Sequence, residues 1–70
     1  MWIMETTDFK TMQENLSRIE AKEIIYFKWR CDEPFTVVAT DGKPCGKRVT
    51  LGRTYDLTGL DQLGVQVKHV

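Results

Sequence analysis

The sequence predicts an α+β fold: one domain over residues 1–70, in which an N-terminal amphipathic helix packs on a small, strongly curved antiparallel sheet or barrel of about five short strands. Three observations support this. Phe9, Met12, Leu16 and Ile19 recur at three- and four-residue intervals among polar neighbours, which is the spacing of one helix face. The run Glu23–Arg30, EIIYFKWR, alternates with the two-residue period of a strand and places three aromatic residues within four positions. From Phe35 onward, short β-branched runs are separated by Gly, Pro and Asp, which punctuate turns.

In chain order, residues 1–7 form a short strand through Trp2 and Ile3 or a loose tail whose tryptophan tucks onto the domain. The helix spans residues 8–22, with Asp8 or Thr11 as N-cap; Thr11 and Glu14 have capping-box spacing. Sheet follows over residues 23–70. In the first strand, Ile25, Phe27 and Trp29 form an all-apolar side expected to face the core, and Ile24, Tyr26, Lys28 and Arg30 form the outward side. Cys31–Pro34 turns the chain, because proline fixes its own φ and pushes the preceding residue out of helical geometry.

Phe35–Thr40 is the second strand, with Phe35, Val37 and Ala39 on one face. A loop through Gly46 follows, since a two-residue turn at Asp41-Gly42 would put Pro44 inside a strand. Lys47–Leu51 points Val49 and Leu51 inward, Gly52 permits a bulge, and Thr54–Leu57 continues with Tyr55 and Leu57 as its apolar positions. Thr58–Gly64 is a loop with a helical turn in which Leu60 and Leu63 plug the core. Val65–His69 closes the sheet with Val65 and Val67 inward.

Composition narrows the function. Hydrophobic residues at 41% and charged residues at 29% describe a folded domain, not a disordered one. A chain of this size removes only about 60% of its unfolded surface from water, so Phe9, Ile25, Phe27, Trp29, Phe35 and Tyr55 are expected inside. Trp2 is needed by the core on the same grounds, yet its place near a chain end makes it a candidate interface anchor. Zero formal charge argues against binding driven by a broad electrostatic field. Acids concentrate in the first 40 residues, and Lys43, Lys47, Arg48 and Arg53 have Asp41 as their only acidic neighbour. No stretch has membrane-span length or signal-peptide form, so the chain is expected in the cytoplasm and off membranes.

Catalytic chemistry is poorly supplied. Ser17 and His69 stand far apart with no nucleophile-activating motif around either, and Glu20 with Glu23 and Asp56 with Asp61 read as surface carboxylates. Gly42–Arg48 is similar to a phosphate-cradling loop, but it is one residue short, lacks a Ser or Thr after the lysine and leads into a strand where a helix is needed. A looser basic loop that touches phosphate or an acidic protein surface stays open. Cys31 and Cys45 fall near opposite ends of the second strand, too far apart to bridge, so free thiols are expected. His69 alone makes no metal site. The reading is therefore not an enzyme, with no cofactor or metal.

The stretch Val49–Leu57, VTLGRTYDL, resembles part of the small SH3-like barrel domains of bacterial and phage proteins. That resemblance implies an SH3-like barrel and, since such proteins are often regulators or inhibitors, a partner in larger machinery. Helix followed by five strands also matches the element order of Sm-like RNA-binding barrels, without their RNA-contacting signatures. Two functions remain. The first is a non-enzymatic interaction module that binds and inhibits a larger protein or protein–nucleic acid assembly, with Trp2, Tyr26 and Arg53 as anchors. The second is direct binding of RNA or single-stranded DNA through Tyr26, Lys28, Arg30, Lys47 and Arg48, where an aromatic platform stacks bases and cations follow the backbone.

Overall fold

A computed structural model describes residues 5–70; Trp2, a predicted interface anchor, and the first half of the 1–7 segment lie outside the described residues. Helix α1 (Phe9–Leu16) is followed by strands β1 (Glu23–Phe27), β2 (Phe35–Thr40) and β3 (Arg48–Thr54), a 3₁₀ helix (Thr58–Leu63) and strand β4 (Gln66–His69). The fold is α+β, and among the described residues its sheet has four strands, not five, in the order β3-β2-β1-β4. The sheet is mixed and open. β1 and β2 pair antiparallel, as do β2 and β3, but β4 lies parallel to β1. The antiparallel barrel expected from the sequence is therefore not the architecture of these residues.

The helix is shorter than its apolar stripe. Asp8 caps it by accepting the Thr11 backbone N–H at 2.8 Å, which satisfies one of the free donors of the first turn. The Thr11 hydroxyl first, and then this backbone hydrogen bond, hold the Asp8 carboxyl below its ordinary range. At the other end the Ser17 hydroxyl bonds back to the Glu14 carbonyl at 2.6 Å, and Arg18 and Ile19 continue only as tight turns onto Asn15 and Leu16. Residues 17–22 are consequently a connector, where the sequence predicted helix to residue 22.

One core lies between the sheet and the two helical segments. Met12, Ile24, Val37, Ala39, Leu51 and Leu60 form its buried centre, with Leu16, Ile19, Tyr26, Leu57, Leu63 and Val67 packed around it. Met12 and Leu16 of the α1 stripe, Ile19 just after it, the plugs Leu60 and Leu63 and the inward face of β4 match the sequence reading; Phe9 stands outside this core. β1 does not. Ile24 is fully buried, lying opposite Ala39 on β2 and Val67 on β4, and Tyr26 lies opposite Val37. Side chains alternate along a strand, so Ile25 and Phe27 point to the other face. The side expected to be outward faces the core, and the side expected to be core faces away from both helical segments.

Two further corrections have local causes. Trp29, expected inside, is 84% exposed, because β1 stops at Phe27 and Trp29 sits in the following loop. Tyr55, also expected inside, is exposed just beyond the end of β3. Gly52 does mark a bulge: Val37 pairs with Gly52 and Val38 with Thr50, leaving Leu51 as the extra residue. Its φ of 153° and the closeness of the Thr7 side chain leave no room for a Cβ.

Candidate interaction surfaces

The face of the sheet turned away from α1 and the 3₁₀ helix is built from β1 outward. Ile25 is in register with Val38 on β2, Thr50 lies opposite Val38 on β3, and Phe27 is opposite Thr36, giving an apolar stripe flanked by threonines. Val38 is only 9% exposed yet stands outside the core cluster. Trp29 extends the stripe past the end of β1, its ring edge-on to Phe27 with centroids 5.7 Å apart. Such aromatic pairs add about 0.5–1.5 kcal/mol beyond their area burial, so Phe27 helps to hold Trp29 in place while leaving it open to solvent.

A buried carboxylate shapes the loop that presents Trp29. Glu33 is 8% exposed; one of its oxygens accepts the backbone N–H groups of Trp29 at 2.6 Å and Arg30 at 3.1 Å, and the other meets the Arg53 guanidinium at 3.5 Å. These bonds give the amides after β1 a side-chain partner in place of a strand, which ends the ladder there. In the sequence Glu33 stands only as one residue of the Cys31–Pro34 turn. The signal was present in its spacing, since a carboxylate three and four residues after two free amides reaches both. Arg53, predicted as an interface anchor, is half-buried and engaged by Glu33, with its backbone bound to Thr7 in both directions at 2.8 and 3.1 Å.

Tyr26, the third predicted anchor, belongs to an aromatic cluster at the end of the core face. Its ring stacks on His69 at 5.0 Å and meets Phe35 edge-on at 5.3 Å, while Lys28 Nζ lies 4.6 Å from the Phe35 centroid. His69, set aside by the sequence reading as a lone terminal imidazole, joins this cluster because the parallel register of β4 brings it beside Tyr26. Lys28 and Arg30 are exposed at this end.

Lys47 and Arg48 are elsewhere. Arg48 pairs with Thr40, which pairs with Glu23 at the start of β1, so the predicted nucleic-acid set is divided between the two ends of the sheet. The length of β1 separates them, about 15 Å at ~3.3 Å per residue. Cys31 and Cys45 are both free and exposed. Among the described residues, no three His, Cys, Asp or Glu side chains gather as a metal site, and no helix is long and apolar enough to cross a membrane. No protein-family model, no curated protein and no solved structure matches this chain.

Proposed function

We propose that this protein is a non-enzymatic interaction module that binds and inhibits a larger protein or protein–nucleic acid assembly in the cytoplasm, and that it docks through the sheet face bearing Ile25, Phe27 and Trp29. The observation behind this reading is the exposed Trp29 ring standing against Phe27 at the end of an apolar stripe. Interfaces draw most of their energy from a few aromatic and arginine residues set in such surroundings, and a small fold with few large side chains has little reason to leave a tryptophan in water. The likeness of Val49–Leu57 to SH3-like barrels of bacterial and phage regulators supports the same assignment. Affinity capture from the source cell tests it. Wild-type protein retains a partner in stoichiometric amount, and Trp29→Ala loses that partner while still unfolding cooperatively, its stability lowered by no more than the Phe27–Trp29 pair accounts for. Equal retention by both, or by neither, overturns the proposal.

A second reading is direct binding of RNA or single-stranded DNA at the Tyr26 end, supported by the Tyr26–His69 stack beside Lys28 and Arg30. Base stacking on aromatic rings with cations along the backbone is the physical basis. In a gel shift at low salt, this reading requires binding that Lys28→Gln with Arg30→Gln removes and that falls steeply as salt rises. Absence of a shift eliminates it.

A further inference from the structure

At the end of the sheet opposite Trp29, a cleft of about 380 Å³ lies between the connector after α1 and the β2–β3 loop. Arg18 and Lys22 line it from the connector, and Lys43 and Lys47 line it from the loop. The ion pairs among the described residues are Arg53–Glu33 and Lys68–Glu23, so none of these four cations is paired with a carboxylate. Of the two carboxylates at the cleft, Glu20 and Asp41, the second is already committed. Asp41 Oδ1 accepts the Lys43 backbone N–H and Oδ2 that of Lys47, each at 3.0 Å.

The loop is built so that this arrangement persists. A Cβ on Gly46 would collide with the Asp41 carboxylate, so only glycine lets the chain pass that closely. Gly42, at φ 79°, turns left-handed against Lys22; a Cβ there would stand 3.3 Å from Lys22 Cβ. Lys22 in turn donates its backbone N–H to the Thr40 carbonyl at 2.9 Å, which fixes the connector beside the loop. The result is a compact group of cations on two walls that are tied together.

We propose that this cleft binds the phosphate chain of a compact polyphosphate, either free pyrophosphate or the phosphates of a nucleotide. Lysine ammonium groups recognise phosphate as point charges, and the Arg18 guanidinium adds paired donors. The cations are gathered at one spot instead of spaced along a track, and the volume lies at the small end of ligand-site sizes, both of which fit a small polyanion. Among the described residues no aromatic ring lines the cleft, which leaves it without the stacking platform that an extended single strand of nucleic acid uses. Among the described residues Ile19 is its one apolar lining residue. The site is separate from the Trp29 surface, and the two assignments stand or fall independently.

Titration calorimetry, paired with amide chemical shifts of the ¹⁵N-labelled full chain, tests the proposal with sodium pyrophosphate, ATP, adenosine and a poly-glutamate peptide as probes. Pyrophosphate is expected to saturate one site and to move the Lys43 and Lys47 amides. Lys43→Gln with Lys47→Gln should weaken it by at least about tenfold, a loss of about 1.4 kcal/mol in binding free energy. Lys10→Gln, exposed in the first turn of α1 and not among the cleft-lining residues, should leave it unchanged and so serves as the folded control. ATP binding as well as pyrophosphate, with adenosine inert, assigns the phosphates alone; ATP binding tenfold tighter assigns a nucleotide whose base adds contact. Absence of saturation at millimolar pyrophosphate, an unchanged affinity in the Lys43 and Lys47 variant, or equal binding of poly-glutamate overturns the proposal.

Discussion

One carboxylate oxygen of Glu33 receives the Trp29 backbone N–H at 2.6 Å, so the residue that presents the exposed ring is tied to a nearly buried acid four positions later. Removing that acceptor leaves two partly buried amides and the Arg53 guanidinium without it. Glu33→Ala should therefore destabilise the fold by about 2–4 kcal/mol, counting the lost charged hydrogen bonds with the desolvated donors. Glu33→Gln, which keeps one acceptor, should cost less than half as much. Urea denaturation of the three proteins measures this; equal stability of wild type and Glu33→Ala would refute the role given to the carboxylate.

The reversal of faces in β1 makes adjacent isoleucines unequal. Ile24→Ala empties a fully buried site and should cost about 2–5 kcal/mol, while Ile25→Ala, at a half-buried position on the face away from the helical segments, should cost about 1 kcal/mol or less. The opposite ranking in chemical denaturation would restore the packing read from the alternation alone.

Gly52 joins the bulge to the segment before α1. Any side chain there meets a φ of 153° as well as the Thr7 side chain, so Gly52→Ala should lower stability by about 1–3 kcal/mol. The Thr7 and Arg53 amides, bonded across this point, should lose protection from hydrogen exchange first. Undiminished protection in the variant would show that the bulge accommodates a methyl group.

Asp41 gives the β2–β3 loop a pH dependence of defined sign. The backbone N–H groups of Lys43 and then Lys47 hold its carboxyl below the ordinary value of 3.8. A depressed pKa means that the ionised form is the one the folded loop favours, so this contribution is complete above 3.8 and is lost as pH falls through the lowered value. The Lys43 and Lys47 amide resonances should stay constant from neutral pH down to that range and move together only below it. Movement centred above 3.8 would contradict the two hydrogen bonds.

Both thiols should react without denaturant. Cys31 and Cys45 are exposed in loops at opposite ends of β2, so two equivalents of a thiol reagent should be consumed rapidly by native protein. Consumption of none, with an intact bridge on mass analysis, would be incompatible with this topology.

What the sequence disclosed is what local chemistry decides. The α1 stripe, the Asp8 cap, the turn ending in Pro34, the Gly52 bulge and the Leu60 and Leu63 plugs each depend on residues a few positions apart. The pairing of β4 does not, because an alternating strand looks the same whether it runs parallel or antiparallel. Nor does the polarity of β1. Alternation says that Ile24 and Ile25 face opposite ways, but only the register with Ala39 and Val67 says which of them meets the helix, and a one-residue slip would exchange them. The cationic cleft was hidden for a related reason. Lys22 is far in sequence from Lys43 and Lys47 until its backbone bonds to Thr40.

The parallel placement of β4 also governs the order of assembly. β1, β2 and β3 are neighbours in sequence and can zip as successive hairpins, whereas β1 acquires its last partner only after a connection of about 40 residues has closed, an entropically slower step. Until then the most aromatic strand of the chain has an unpaired rim, open to docking by another molecule's strand. The vulnerable moment for aggregation is thus late in folding, and its guardian is the four-residue segment Gln66–His69.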